Sequence, residues 1–410
     1  MSSVLHRAPH PITWLLLIIP FGVNTGFLTV ALAYELSHRG VGAAAIGGLA
    51  ALQLLPQTWK VLWAPLVDKT FTRKRWYWGA NLITNLGLAA MGLISDSNLG
   101  LLSTAIFVSS LTSTVIGMSL EGLMAGCVPD EQRGRVSGFY QAGNLGGGGV
   151  GGGLGLWLIE SGHWSAGAAA CLLAAICVAC GFALHWIHEP APEALREADS
   201  KPHLLDHAKE IGRELWQLAR SRAGALALLI CVLPIGAGGA TNFWSVVADE
   251  WHASADTVAM VNGLFGGLIM ALGCMVGGWC CDRMDRKYFY CLAGATQVLA
   301  AIAMALLPRA PEQFVLWTCA YALFQGFSYA GYTAVVLEVI GSTMAATKFS
   351  LLASLANMPL AYVTLIDGHA QESFGSRGML LMDAALGVIG IALFAAMAWG
   401  TKRRAAAQAN

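Results

Sequence analysis

Charged residues are scarce in this chain. Only 12% of its 410 residues are Asp, Glu, Lys or Arg, against roughly a quarter in a soluble globular domain, so the composition does not supply a water-facing surface for a chain of this size. Net charge is absent as well: 24 basic and 24 acidic residues cancel, which removes the electrostatic footprint of a nucleic-acid partner. A disulfide framework is missing, because the ten cysteines scatter through apolar segments and read as small buried hydrophobes. Cys177 and Cys180 form C-x-x-C inside one such run and read the same way, not as a redox or zinc pair. Neither H-E-x-x-H nor G-x-S-x-G occurs, and the H-x-x-x-H of His203 and His207 lies in a polar segment where both rings are expected to be solvated. No metal, no cofactor and no enzymatic activity are therefore expected.

What the sequence does hold is apolar length. Hydrophobic residues make up 56% of the chain and the mean hydropathy is +0.60. Apolar runs of about 20 residues, enough to cross a bilayer as a helix, occur at 12–33, 43–64, 76–95, 99–124, 136–159, 164–187, 223–247, 258–281, 288–307, 313–338, 347–367 and 378–399. Ala31-Leu32-Ala33 imitates a signal-peptase site, but the first run spans 22 residues and eleven more follow, so it is read as a helix. An all-α membrane protein with twelve transmembrane helices is expected. An even number of crossings places both termini on one side.

Lysine and arginine assign that side. Loops sharing it carry Lys69, Arg73, Lys74, Arg75, Arg133, Arg135, Arg283, Arg286, Lys287 and Lys348, and the tail adds Lys402, Arg403 and Arg404. The opposite loops carry only Arg39, Arg309 and Arg377. The positive-inside rule then makes the termini cytoplasmic. One long hydrophilic segment interrupts the runs, opening with EPAPE; its Leu204, Leu205, Ala208, Ile211, Leu215 and Leu218 share a helical face suited to lying on a membrane surface. The expected organisation is a six-helix bundle over 1–190, a cytoplasmic linker with a surface helix over 191–222, and a second six-helix bundle with a short tail over 223–410.

The two halves repeat. Asp68 ends WAPLVD before TRKR, and Asp282 ends GGWCCD before RMDRK, 214 residues later. Ser137 and Asn144 of SGFYQAGN match Ser350 and Asn357 of SLLASLAN at an offset of 213, and Glu121 matches Glu338 at 217. Three landmarks at nearly one spacing indicate a duplicated six-helix unit, the architecture of transporters that rock about a central site.

These loops, D-K-x-x-x-R-K-R and D-R-x-x-R-K, resemble the signature repeated between helices two and three and between eight and nine of the major facilitator superfamily. Within it, LLPQTWKVLWAPLVDK over Leu54–Lys69 resembles the second helix of the peptide/acetyl-coenzyme A/drug transporter family. The resemblance implies two pseudo-symmetric six-helix bundles, alternating access and residence in a bacterial inner membrane. It also implies energy coupling to protons, in keeping with the lack of an ATP-binding motif. At 410 residues the chain has the size of that family's single-component siderophore permeases, without room for the extra C-terminal helices of its muropeptide permeases.

Glycine is abundant where a helix would avoid it in water: nine of the thirteen residues of GNLGGGGVGGGLG, Gly143–Gly155. A nucleotide loop would need a strand-turn-helix setting and a Lys-Ser/Thr, both missing. In lipid a glycine-rich helix persists, since its backbone has no water to bond, and small residues let axes approach. The resemblance implies that helix five crosses helix eight between the halves. Gly147 and Gly151 are accordingly expected against the glycines of helix eight, Gly263, Gly266, Gly267, Gly273, Gly277 and Gly278, as a surface on which the halves slide.

Charges inside spans are candidates for function. Lys60 lies eight residues before Asp68, about 12 Å deeper along a helix, and its repeat counterpart is Cys274. It is expected to face an anionic solute or a cavity carboxylate. Glu121 and Glu338, present in both halves, are expected to latch onto loop cations, with Asp68, Arg73, Arg75, Asp282, Arg283 and Arg286 completing the gate. The resemblance places Asp68 opposite the start of helix eleven. Cavity-lining candidates are Asn24, Gln53, Gln57, Gln141, Asn144 and Tyr332, with Asn242, Asn262, Gln325, Tyr329 and Asn357. Each has an alternative role as interhelical hydrogen-bond glue. Asp367 and Asp383 fall near span ends and are expected to be solvated. The function expected is a monomeric, proton-coupled importer of a mid-sized, partly anionic small molecule such as a muropeptide-like cell-wall fragment. A siderophore permease and a non-transporting receptor of the same fold are the alternatives.

Overall fold

The computed structural model describes residues 9–94, 98–189, 212–213 and 216–409. The first half comprises α1 (Pro11–His38), α2 (43–69), α3 (Arg73–Leu93), α4 (Leu99–Cys127), α5 (Arg133–Glu160) and α6 (Ala166–Trp186). The second comprises α7 (222–251), α8 (255–281), α9 (Arg286–Leu306), α10 (Pro311–Ile340), α11 (345–374) and α12 (376–409), the last two joined at Gly375, whose φ of +67° breaks the helix. Among the described residues, six helical stretches are continuous, long and apolar enough to cross a membrane by length and composition. Side chains such as Leu62, Leu86, Leu299, Leu365 and Phe374 are exposed on the outer surface, as lipid-facing groups must be. The surface helix expected over 204–218 falls almost wholly outside the described residues, as do His203 and His207.

Proline and glycine shape the helices that matter. In α2, helix runs over Ala43–Trp59 and Ala64–Lys69 with a tighter turn over Lys60–Leu62 between. Pro65 cannot donate to the carbonyl four residues back, so the ladder is interrupted there. α7 was expected as an unbroken span; it is helical over Arg222–Val232 and then unwinds through Pro234, Gly236 (φ +63°) and Gly238 (φ +77°) before a short helical turn at Gly239–Phe243. Two carbonyls near the break are covered by tyrosine hydroxyls: Tyr290 donates to Ile235 O at 2.8 Å and Tyr362 to Val232 O at 2.9 Å. In the first half Tyr77 donates to Leu17 O at 2.8 Å, a further element of the repeat.

The glycine-rich stretch is continuous helix within α5, but its faces divide differently from expectation. Gly147 and Gly151 do not face α8. A Cβ on Gly151 would lie 2.3 Å from Val23 O, and one on Gly147 3.0 Å from Ile19 O, so both close on α1 in the same half. Gly22 and Gly26 of α1 return the contact, since a Cβ on Gly26 would run into Gly148 O. Gly266 packs on the turn below it, where a Cβ would run into Val261 O. The α5–α8 crossing is built instead from Gly134 and Gly138 against Gly278 and Cys274, with Gly149 meeting Gly267 at 3.0 Å from the latter's Cβ position.

Bulk at these two sets of glycines therefore has different consequences. Gly151→Leu overpacks a static interface, at a cost of about 1–3 kcal/mol, and is expected to lower the thermal unfolding temperature of the purified protein. A Cβ on Gly138 would lie 2.4 Å from Cys274 O across the halves, so Gly138→Leu is expected to push the halves apart there and open the adjacent face to cysteine-modifying reagents.

Candidate functional site

Lys60 sits in the tight turn of α2, held there by Trp63, whose indole Nε1 donates to Thr114 Oγ1 of α4 at 3.0 Å. Its Nζ lies 3.7 Å from Glu121 Oε1. Glu121, on α4, is buried and also accepts from the Tyr140 hydroxyl of α5 at 3.2 Å. Its second oxygen, Oε2, has no donor, and the buried hydroxyl of Tyr332 on α10 has the Cys231 thiol beside it. Both residues line a cavity of about 210 Å³ between the halves.

That cavity collects polar groups from six helices. Gln57 and Lys60 come from α2, Glu121 from α4, and Tyr140, Gln141 and Asn144 from α5. Facing them are Tyr290 of α9, Tyr329 and Tyr332 of α10, and Asn357 of α11. Gln141 donates to Thr333 Oγ1 of α10 at 2.7 Å and receives Asn144 Nδ2 at 3.1 Å, tying the two halves at the cavity wall. The charges all come from the first half. The site can offer one cation, one carboxylate oxygen without a donor and several hydroxyl and amide groups, a set suited to a solute bearing carboxylate and hydroxyl groups.

Below the cavity, on the side of the 2–3 and 8–9 loops, the halves are joined twice in the same manner. Asp68 accepts from Ala346 N at 3.2 Å, Thr347 N at 2.9 Å and Thr347 Oγ1 at 2.8 Å, capping the start of α11, with Arg73 Nη2 at 3.4 Å. Asp282 accepts from Arg135 N and Nε, both at 3.1 Å, at the start of α5. Each half thus supplies the aspartate that satisfies the first amides of a helix in the other, where a helix carries partial positive charge. Arg286 adds a bond to the Asp130 carbonyl and joins Lys287 on Glu338. On the opposite side, a gap of about 590 Å³ lies between α1 and α5 of the first half and α7, α8 and α10 of the second, beside the Gly149–Gly267 contact that still joins α5 to α8.

Several expected roles are corrected by these positions. Glu121 meets Lys60 in the cavity, not loop cations; only Glu338 does that. Arg283 lies over the Trp279 ring at 3.6 Å and donates to Trp279 O, so it stays on its own helix. Arg75 is exposed and is not among the groups joining the halves described above. Asn24 is buried on Ser109 (2.6 Å) with Gln53 beside it, and both glue α1, α2 and α4 away from the cavity. Asn242 is exposed and donates to Thr364 at 2.9 Å. Gln325 packs under Gly238, outside the cavity lining. The side chain of Asn262 lies outside the described residues. Asp367 and Asp383 are buried, not solvated, at 0% and 9% exposure. Tyr140 and Tyr290 escaped the sequence reading; their signal was a tyrosine in otherwise apolar helix, indistinguishable there from interhelical glue.

Comparison with known proteins gives a consistent picture. The family model described as Major Facilitator Superfamily matches residues 14–245. An anhydromuropeptide permease of Escherichia coli is 24% identical over 403 residues, covering 92% of this chain and 76% of the relative. Among solved structures, the human organic anion transporter MFSD10 (TETRAN) superposes with a TM-score of 0.70 at 16% identity, covering 96% of this chain and 100% of that one. The E. coli fucose:proton symporter gives a TM-score of 0.71 at 14% identity, over 94% and 97%.

Proposed function

Because the chain belongs to the major facilitator superfamily, whose members are secondary transporters and not enzymes, we propose that it is a proton-coupled importer of a partly anionic, sugar- or peptide-like solute. The leading substrate class is a muropeptide-like cell-wall fragment, and the expected location is a bacterial inner membrane with both termini cytoplasmic. The observation that carries this reading is Lys60 set beside Glu121 in the cavity between the halves, with Tyr140, Gln141, Asn144, Tyr329 and Asn357 around them. A solute carboxylate would displace Glu121 from Lys60, and sugar hydroxyls would bond the amides and phenols. That the 24% identical relative is an anhydromuropeptide permease supports the substrate class.

Size adds a requirement. The cavity of about 210 Å³ is smaller than the roughly 300–1,000 Å³ of sites for drug-sized ligands, so a cell-wall fragment fits only when the halves part. The Asp68 and Asp282 contacts act as the latch that holds the cytoplasmic side shut while the opposite gap lies open. Alternating access then consists of breaking these caps and closing that gap.

The test is uptake of radiolabelled anhydromuropeptide into proteoliposomes holding the purified protein, with an acid-outside pH gradient. Accumulation above that in empty liposomes, abolished by a protonophore, is expected. Binding without uptake or counterflow would make the protein a receptor; neither binding nor uptake would remove the substrate class.

A further inference from the structure

The second half contains a buried carboxylate pair that the solute cavity does not use. Asp367 on α11 and Asp383 on α12 each lie eight residues from Gly375, about 12 Å along their helices, so the hairpin brings them level with each other. Their carboxyls are neighbours, each acting on the other's charge. Tyr321 of α10 donates to Asp383 Oδ2 at 2.8 Å, and the Ala240 amide of α7 lies against the same carboxyl. Neither oxygen of Asp367 has a donor. Gln297 of α9 borders the same small space, 3% exposed, beside the Tyr321 hydroxyl.

The groups around the pair are Tyr321 from α10, Gln297 from α9 and the unwound backbone of α7 with Gly239, whose Cβ position is 2.6 Å from Asp367 Oδ2. No Lys, Arg or His is among the described residues that line the space or act on either carboxyl. Ionic contacts lie at the hairpin's rim, where Glu250 of α7 accepts from Ser376 and sits 2.7 Å from Arg309, and where exposed His369 and Glu372 of α11 are 4.0 Å apart. Two neighbouring carboxylates, away from water and without a cation, cannot both remain ionised, so one proton shared between them is the stable arrangement. A space of about 10 Å³ holds at most about one water, too little for a hydrated cation.

The position links this pair to the solute site. Gly236 and Ala237, in the broken part of α7, border both the small space and the solute cavity. We propose that Asp367 and Asp383 form a shared-proton site that couples transport to the proton gradient through the unwound segment of α7. A proton taken from the acidic side joins the doubly ionised pair, relieves the repulsion and lets α11, α12 and α7 pack as seen here. Its release to the other side restores both charges and pushes that packing apart. This rests on the transporter reading above, while leaving the identity of the solute open.

The first experiment needs no solute. Infrared difference spectra of the purified protein across a pH titration are expected to show the carbonyl stretch of a buried, protonated carboxylic acid. Asp367→Asn and Asp383→Asn should each remove or shift that band, and Glu121→Gln should leave it. Asp383→Glu, which keeps the carboxyl, should move the band and covers the case in which an asparagine variant fails to fold. A band that survives in the Asp367→Asn/Asp383→Asn double variant, or its absence from the wild type, would overturn the proposal. In proteoliposomes given radiolabelled anhydromuropeptide, Asp383→Asn should keep counterflow and lose accumulation driven by the pH gradient. Full accumulation in that variant, or accumulation that follows a sodium gradient, would overturn it as well. Wild-type liposomes that take up no label at all would remove the substrate class while the infrared result still stands on its own.

Discussion

Lys60→Ala is expected to weaken solute binding by one to two orders of magnitude. The loss is that of a charge-assisted contact inside a partly desolvated cavity, about 1.5–3 kcal/mol. The same substitution leaves Glu121 buried without its cation, and breaking a buried pair in this way destabilises by about 3–5 kcal/mol. The two effects separate in the double variant. Lys60→Ala with Glu121→Gln should recover most of the thermal stability and none of the affinity, because the stranded charge is gone while the solute still lacks its cation. Lys60→Arg keeps the charge with a different shape and should be partly active. Calorimetric titration with anhydromuropeptide and thermal unfolding of the four proteins check this together. Wild-type affinity in Lys60→Ala would leave the lysine a structural residue.

Asp68→Asn and Asp282→Asn are expected to open the cytoplasmic side. Each aspartate caps the first amides of a helix in the opposite half, and neutralising it removes the charge that the helix terminus favours. An N-cap of this kind contributes about 0.5–2 kcal/mol, and coupling between conformational states is commonly about 1–3 kcal/mol. Either variant alone should shift the balance measurably toward the inward-facing state, and the double variant further. The check is the rate at which a membrane-impermeant maleimide, applied from the cytoplasmic face, labels a cysteine placed at Tyr140 or Asn357 of the cavity lining in a background lacking the native thiols. Unchanged labelling with normal transport would make Asp68 and Asp282 ordinary helix caps.

Much of the fold was legible because its signals are local. Each apolar run announces a helix, and the offset near 214 between Asp68 and Asp282 announces the second half without any knowledge of packing. The site was legible only in part. Gln57, Lys60, Gln141, Asn144, Tyr329 and Asn357 reach the cavity, whereas Asn24 and Gln53 turn to Ser109 and to each other. Sequence names a polar residue in a span but not the rotation of its helix. The partner of the glycine stretch was hidden for a related reason: a face of glycines fits any helix, and α1 supplies its own glycines at Gly22 and Gly26.

Asp367 and Asp383 were misread by the hydropathy rule itself. The apolar run 347–367 stops at Asp367 and the run 378–399 begins five residues before Asp383, so both fell near apparent helix ends. The helix actually continues past Asp367 to Gly375, and the hairpin closes over two carboxyls that no single run could reveal. The break in α7 did leave a sign, Pro234 followed by Gly236 and Gly238, since proline and paired glycines in a span mark discontinuous helices near binding sites.

The central claim is that the halves rock about the Lys60–Glu121 cavity. Pulsed electron-spin distance measurements test it most directly, with one label pair on the latched face, at the exposed Arg75 and Tyr288, and one on the opposite face, at the exposed Leu101 and Met260. Proton and solute together should populate two distance sets that change in opposite senses, one face widening as the other narrows, with Asp68→Asn biased toward the widened latch. A single distance set on both faces, unmoved by pH, by solute and by that substitution, would contradict the account.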